Sequence, residues 1–303
     1  MRLDRLITLN LVQPLRRFRT FDIGQSTADT TLPILMYHSI CGDPEPAVPA
    51  YYKTHTSPAV FRQQMALLSA RGYKGISLEA GLELLRTNEA RNTRHVVLTF
   101  DDGFRNFYTE AFPVLQKSGF TATVFVPTAF IGTARRSFHG TECLTWGEVR
   151  ELRDGGIQFG SHTVTHPRLT KLSRKEIEHE LRDSKKELQQ RLGQPITTFA
   201  YPFAFPRSNR KFVQTFEGLL AAEGYGCCAT TEVGRVQPGD DVYRLRRLPA
   251  NTLDDAALFG AKLDGAYDWL RLPQRIIKES RRWASFGSRR NGWLGPARFP
   301  SPL

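Results

Sequence analysis

Short apolar, β-rich segments alternate along this chain with stretches whose hydrophobic residues recur every three or four positions. The first kind predicts strands over Pro33–His38, Gly75–Leu78, His95–Phe100, Thr121–Pro127, Ile157–Ser161, Thr198–Pro202, Gly226–Thr230 and Arg244–Leu248. Helices are signalled between them. Ser57 followed by Pro58 is a helix start, with Phe61, Met65 and Leu68 on one face and Gly72 just past the end. Thr145 caps a helix that stops at Gly155 and Gly156. Ser173 and Glu176 form a capping box that opens the longest helix. Its apolar stripe is Ile177, Leu181, Leu188 and Leu192, its other face is charged, and Gly193 ends it. The alternation is that of an α/β fold with a mostly parallel sheet, and seven or eight strands suggest a closed or nearly closed β/α barrel. In such barrels chemistry sits at the C-terminal ends of the strands. His38, Asp101 and Asp102, His162, and the Tyr201–Phe203 stretch each follow a predicted strand, so all of them are expected on one rim.

Two adjacent carboxylates after an apolar run are costly to bury, because like charges repel and desolvation disfavours both. A cation relieves that conflict. The segment Gly160-Ser161-His162-Thr163-Val164-Thr165-His166-Pro167 supplies two imidazoles to complete its shell. Taken singly, the acids would serve as helix caps and the histidines as surface residues. Together, Asp102, His162 and His166 make a three-ligand metal centre with positions left for water and substrate. Zinc suits two imidazoles and a carboxylate, but Fe(II) accepts the same set. Asp101, beside a ligand but directed elsewhere, is placed to take a proton from an attacking water.

These residues resemble the polysaccharide deacetylases of carbohydrate esterase family four. Thr99-Phe100-Asp101-Asp102-Gly103 matches that family's first motif, and His162-Thr163-Val164-Thr165-His166 fits its second. The likeness spans roughly residues 31–250. It implies a distorted (β/α)7 barrel, Asp101 as general base, and Asp102, His162 and His166 as ligands of a divalent ion, Zn2+ first with Fe2+, Co2+ or Ni2+ as alternatives. The third motif is degraded: Phe199-Ala200-Tyr201-Pro202-Phe203-Ala204 has Ala200 where the family has Arg and Ala204 where it has Gly. The Phe203 amide can still hold an oxyanion, with Tyr201 and Pro202 expected to contact substrate. Arg247, or its neighbour Arg246, is the expected substitute for the missing Arg that steadies the base. No His follows His179, so the family's C-terminal acid is absent. Met36-Tyr37-His38 instead resembles the opening of the circularly permuted branch that deacetylates poly-N-acetylglucosamine, which makes His38 the general acid.

The remaining histidines, His55, His95, His139 and His179, are read as non-catalytic, although His139 lies in a loop that can meet substrate. Trp146 is read as packing. Cys41, Cys143, Cys227 and Cys228 show no metal-type spacing and fit a reducing compartment. The net charge is +12, which first suggests nucleic acid. Residues 1–20 hold a net +4, residues 271–303 a net +7, and residues 21–270 only +1. A neutral body argues against a nucleic-acid groove. The basic ends suit an anionic surface, and the stretch Tyr267–Trp283 mixes aromatic, aliphatic and basic residues as a membrane-surface segment does.

No run of about 18 apolar residues is present, so no spanning helix is expected. The N-terminus lacks a secretory pattern, so a cytoplasmic protein, peripheral at the inner membrane, is expected. The expected organisation is a basic extension (1–30), one deacetylase domain (31–255), and a basic helix with a disordered tail (256–303). The expected activity is hydrolysis of the N-acetyl amide of an amino sugar in a glycan, releasing acetate. Two alternatives are a deformylase or deacylase of a lipid-linked amino sugar, and a non-catalytic carbohydrate-binding barrel.

Overall fold

Apolar runs this short, separated by helices, satisfy their backbone only by pairing side by side, and they do. The computed structural model describes residues 2–16, 31–42, 53–87, 89 and 94–271. Its main strands are β1 (Ile34–Tyr37), β2 (Lys74–Ile76), β3 (His95–Phe100), β4 (Thr123–Val126), β5 (Gln158–Ser161), β6 (Thr198–Ala200), β7 (Cys227–Val233) and β8 (Leu245–Pro249). Each coincides with a predicted strand to within a few residues; β7 runs three residues further, with an irregularity between Ala229 and Val233.

All pairings among these strands are parallel, in the order β1–β3–β4–β5–β6–β7–β8. Strand β8 returns to β1 through Leu35 opposite Leu248 and Met36 opposite Pro249, so seven strands close a ring. Strand β2 stays outside it. It pairs with the first half of β3, and its Gly75 carbonyl accepts from the Thr121 N–H, filling the gap below the point where β3 meets β4. Only glycine fits there, since a Cβ at Gly75 would sit 2.7–2.9 Å from the Phe120 and Leu98 side chains.

Side-chain alternation sorts each strand into an inner and an outer set. Ile34, Val97, Phe125, Ala200, Cys227, Ala229 and Leu245 share one apolar cluster, the floor of the barrel. Leu35, Leu98, Val124, Phe159, Phe199, Cys228 and Leu248 belong to a second, larger one under the helices.

The helices are α1 (Leu3–Ile7), α2 (Pro58–Ala70), α3 (Leu78–Arg86), α4 (Phe112–Ser118), α5 (Trp146–Asp154), α6 (Arg174–Leu192), α7 (Arg210–Ala222) and α8 (Ala256–Leu263). The predicted caps are present. The Ser57 side chain accepts from the Val60 N–H at the start of α2, and both α5 and α6 carry complete capping boxes. Gly193 ends α6 at φ +65°, a conformation open to glycine at no steric cost.

The stretch Arg135–Glu142 contains a two-stranded antiparallel hairpin, Ser137–Phe138 with Thr141–Glu142. The segment from residue 256, expected as a basic helix and tail, begins with α8, whose Leu258, Phe259 and Leu263 are buried. The N-terminal extension is bound to it. Arg2 pairs with Asp254 at 2.9 Å, the Tyr267 hydroxyl donates to Asp4 at 2.6 Å, and the Trp269 indole N–H donates to Thr8 at 2.9 Å. The Pro-rich sequence 43–49, the C-terminal tail and the membrane-surface stretch beyond Arg271 lie outside the described residues. Among the described residues no helix is long and apolar enough to cross a membrane.

Candidate active site

The inward set on β3, Val97 then Thr99, continues one step beyond the strand to Asp101. There it meets Arg247, which β8 directs into the barrel with no exposed surface. The guanidinium donates to both oxygens of Asp101 at 2.7 Å, to the Thr99 hydroxyl at 3.1 Å and to the Thr230 carbonyl at 2.9 Å. Burial alone would raise the Asp101 carboxyl. The Arg247 charge and its two hydrogen bonds, with His162 and His38 nearby, outweigh burial and hold the group well below the usual carboxylate range. Arg246, the other expected substitute, points away to Asp240 and the Arg235 carbonyl.

Asp102 leaves the strand at φ +72°, which turns its side chain away from that of Asp101. Its Oδ1 lies 3.5 Å from His162 Nε2 and 3.5 Å from His166 Nε2. That oxygen is buried without a hydrogen-bond partner among the described residues, as is His166 Nδ1. Ligand atoms about 2.0–2.2 Å from a shared ion at tetrahedral angles stand about 3.3–3.6 Å apart, so the two carboxylate-to-imidazole spacings and the unpaired oxygen fit a divalent metal, with all three ligand atoms within 4.8 Å of one another. His162 Nδ1 lies 2.7 Å from the Ala200 carbonyl, which can only accept, so Nδ1 carries a proton and Nε2 is the nitrogen left to face an ion. Burial, followed by the neighbouring His162, lowers His166 to about 3, so its imidazole is neutral, as a ligand must be.

The loop between the two histidines is held by a residue that sequence reasoning missed. Glu180 on α6 accepts from the Val164 N–H at 2.7 Å, the Thr165 N–H at 2.9 Å and the Thr165 hydroxyl at 2.6 Å. The sequence does carry a trace of it. Glu180 falls between Ile177 and Leu181 on the helix's apolar stripe, and a carboxylate on that face must have a buried partner. Backbone strain is concentrated here too. Among the described residues, the non-glycine positions with positive φ are Asp102, His139, Thr163, His166 and Phe203. Four lie in the expected motifs, and His139 stands beside Phe138, whose ring meets that of His166 at 5.1 Å.

The rest of the rim closes round this centre. His38 Nε2 is 3.9 Å from Asp101 Oδ2, with the imidazole partly exposed. The Phe203 ring packs on His166 at 4.7 Å, and the Arg168 guanidinium lies 4.4 Å from the centre of the Phe203 ring. The Phe203 N–H has no acceptor among the described residues, while its carbonyl accepts from Thr231. Tyr201 and Pro202 are a correction. Both are buried, and Tyr201 packs edge-on against Phe205 and Phe216 while its N–H is tied to the Ala229 carbonyl. They shape the turn that presents Phe203 and offer no surface to a glycan.

The polysaccharide deacetylase family profile matches residues 88–218. YxkH of Bacillus subtilis, named for that family, is 32% identical over 235 residues, covering 77% of this chain and 76% of that protein. The Staphylococcus aureus poly-β-1,6-N-acetyl-D-glucosamine N-deacetylase is 26% identical over 201 residues, 63% of this chain and 66% of that protein. Among solved structures, the Streptococcus pyogenes deacetylase PplD in complex with acetate superposes with a TM-score of 0.67 at 28% identity, covering 77% of this chain and 98% of PplD. With the closed seven-stranded ring and the Asp102, His162 and His166 group, these likenesses settle the family: the chain belongs to the polysaccharide deacetylases of carbohydrate esterase family four, hydrolases of carbon–nitrogen bonds other than peptide bonds.

Proposed function

We propose that the chain hydrolyses the N-acetyl amide of an amino sugar within a polysaccharide, with N-acetylglucosamine polymers as the first substrate class to try. The observation that carries this reading is the pairing of opposites at the rim: Asp101 clamped by Arg247 stands one residue from Asp102, whose free oxygen faces two imidazoles. A divalent ion held by Asp102, His162 and His166, zinc first, would polarise the acetyl carbonyl and acidify a water beside it.

Asp101 takes the proton of that water as it attacks. Because Arg247 keeps the carboxylate ionised and fixed by two bonds, the base is oriented before substrate arrives. The Phe203 N–H donates to the oxyanion that develops on the former carbonyl oxygen. His38, on the Asp101 side, gives a proton to the departing amine, which leaves poorly without one. Acetate and the free amino sugar are the products. The absence of the motif Arg at Ala200 would favour a non-catalytic barrel only if nothing replaced it, and the Arg247 bonds to Asp101 supply what that reading needs to be missing.

The test is acetate release from β-1,6- and β-1,4-linked N-acetylglucosamine oligomers by metal-reconstituted protein, with Asp101→Asn as control. Release by wild type and none above background by the variant supports the reading. Equal release by both, or formate from N-formylated oligomers with no acetate from the N-acetylated ones, overturns it.

A further inference from the structure

We propose that Glu180 is a positioning residue that holds the loop from His162 to His166 in its metal-binding shape; this rests on the metal-site reading above. Helix α6 buries Ile177, Leu181 and Leu188, and on the same face it buries Glu180 at 6% exposure. A carboxylate in that position is expensive unless its oxygens are used. All three of its bonds go to the loop between the two imidazoles, and two of them come from the consecutive amides of Val164 and Thr165. Two adjacent N–H groups aimed at one oxygen form a small anion-binding concavity, and here the protein fills it with its own acid.

One turn along, Ser184 adds a second tie. Its hydroxyl lies 2.7 Å from Ser161 Oγ, which accepts from the Thr163 N–H at 3.3 Å. The segment so held is strained. Thr163 and His166 both sit at positive φ, +71° and +55°. Such conformations are costly for a residue with a Cβ and persist only where the surroundings over-determine them. Without the Glu180 ties the backbone relaxes, and His166 Nε2 leaves its place 3.5 Å from Asp102. Glu180 touches neither substrate nor ion. It acts by keeping one imidazole aimed.

The experiment is titration of the chelator-stripped protein with Zn2+ against a competing chelator, and with Co2+ followed by visible absorption. Asp102→Ala abolishes binding if the metal reading is right. Glu180→Ala weakens Zn2+ binding about 10–100-fold and changes the Co2+ bands, the size expected for a lost supporting contact. Glu180→Gln stays within about threefold of wild type, because its amide oxygen still accepts both N–H groups and its NH2 can donate to the Thr165 hydroxyl. Leu188→Ala, a loss of packing on the same helix, lowers Tm and leaves affinity alone. Thr165→Val removes the hydroxyl bond and weakens binding several-fold, which keeps the proposal testable if Glu180→Ala does not fold. Unchanged affinity in Glu180→Ala, or in Thr165→Val where that variant stands in for it, overturns the proposal, as does a loss matched by Leu188→Ala. If wild type shows no Asp102-dependent binding, the metal reading fails first and the proposal falls with it.

Discussion

The floor and the rim of this barrel are built from the same strands by opposite rules. The floor is the apolar cluster of Ile34, Val97, Phe125, Ala200 and Leu245, without a charged member. Two residues further along β3 and β8 the interior changes to Thr99, Arg247 and Asp101, and beyond them the backbone turns through a series of positive φ angles. Packing stabilises the floor wherever it forms. The rim is expensive: a buried ion pair, an unpartnered carboxylate oxygen and strained backbone. Function is concentrated where polar groups and strained backbone are buried, and the apolar floor offsets that cost.

This contrast can be tested from both sides. The largest effect is expected at the rim: Asp101→Asn lowers kcat/KM of the folded protein about 10²–10⁴-fold while Zn2+ affinity holds, measured by acetate release and metal titration, and it lowers Tm because the buried Arg247 guanidinium loses its counter-charge. Arg247→Met comes next. It strands Asp101 without its cation and destabilises the fold by about 3–5 kcal/mol in denaturant unfolding. The sign of its pH effect follows from the same pair. With Arg247 present the Asp101 carboxylate is held ionised, whereas without it burial dominates and the folded-state pKa rises. The acid limb of kcat/KM therefore moves to higher pH in the variant, and an unmoved limb refutes the pairing as the cause.

At the floor, Ile34→Ala costs about 2–4 kcal/mol of stability, yet the folded fraction keeps wild-type kcat/KM. A proportionate loss of turnover would erase the distinction between the two layers. The smallest effect lies outside the barrel, at Glu148. Burial would raise this carboxyl, but Arg135, the Thr145 N–H and Arg105 bring it down to about 2 from the usual 4.5. A depressed carboxylate contributes stability that is complete above about pH 4.5 and is lost as pH falls toward 2. Glu148→Gln should remove about 1–2 kcal/mol of that pH dependence, allowing for the partly exposed Arg135. A stability curve still falling equally between those pH values in the variant would exclude the ion pair as its source.

The eight strands were legible because strands buried on both faces read as unbroken apolar runs, from Val96 to Phe100 above all. The metal group was legible because its chemistry lies in two short local motifs. Contacts made across the barrel were harder to read. Arg247 was reachable only by asking what replaces the Arg missing at Ala200, and Glu180 hides in a helix pattern that otherwise reports only amphipathicity. Tyr201 was misread because its place beside Phe203 says nothing of the direction of its ring, which the Phe205 and Phe216 packing turns inward. The N-terminal contacts were hidden for a different reason. The net charge of that segment is visible in sequence, but Asp254, Asp255 and Asp4, which engage the arginines at the N-terminus, are recognised as partners only in three dimensions.

One consequence of the ring closure concerns the order in which the chain is synthesised. Strand β1 must wait for β8, and Asp101 for Arg247, 146 residues downstream. Contacts so distant in sequence make for slow assembly. Until β8 emerges from the ribosome, the nascent chain has an open sheet with two exposed edges and an acid lacking its counterion. The last strand made thus seals the hydrogen-bonded ring and arms the base in a single event, so a chain truncated before Leu245 would be both inert and prone to associate with its own kind.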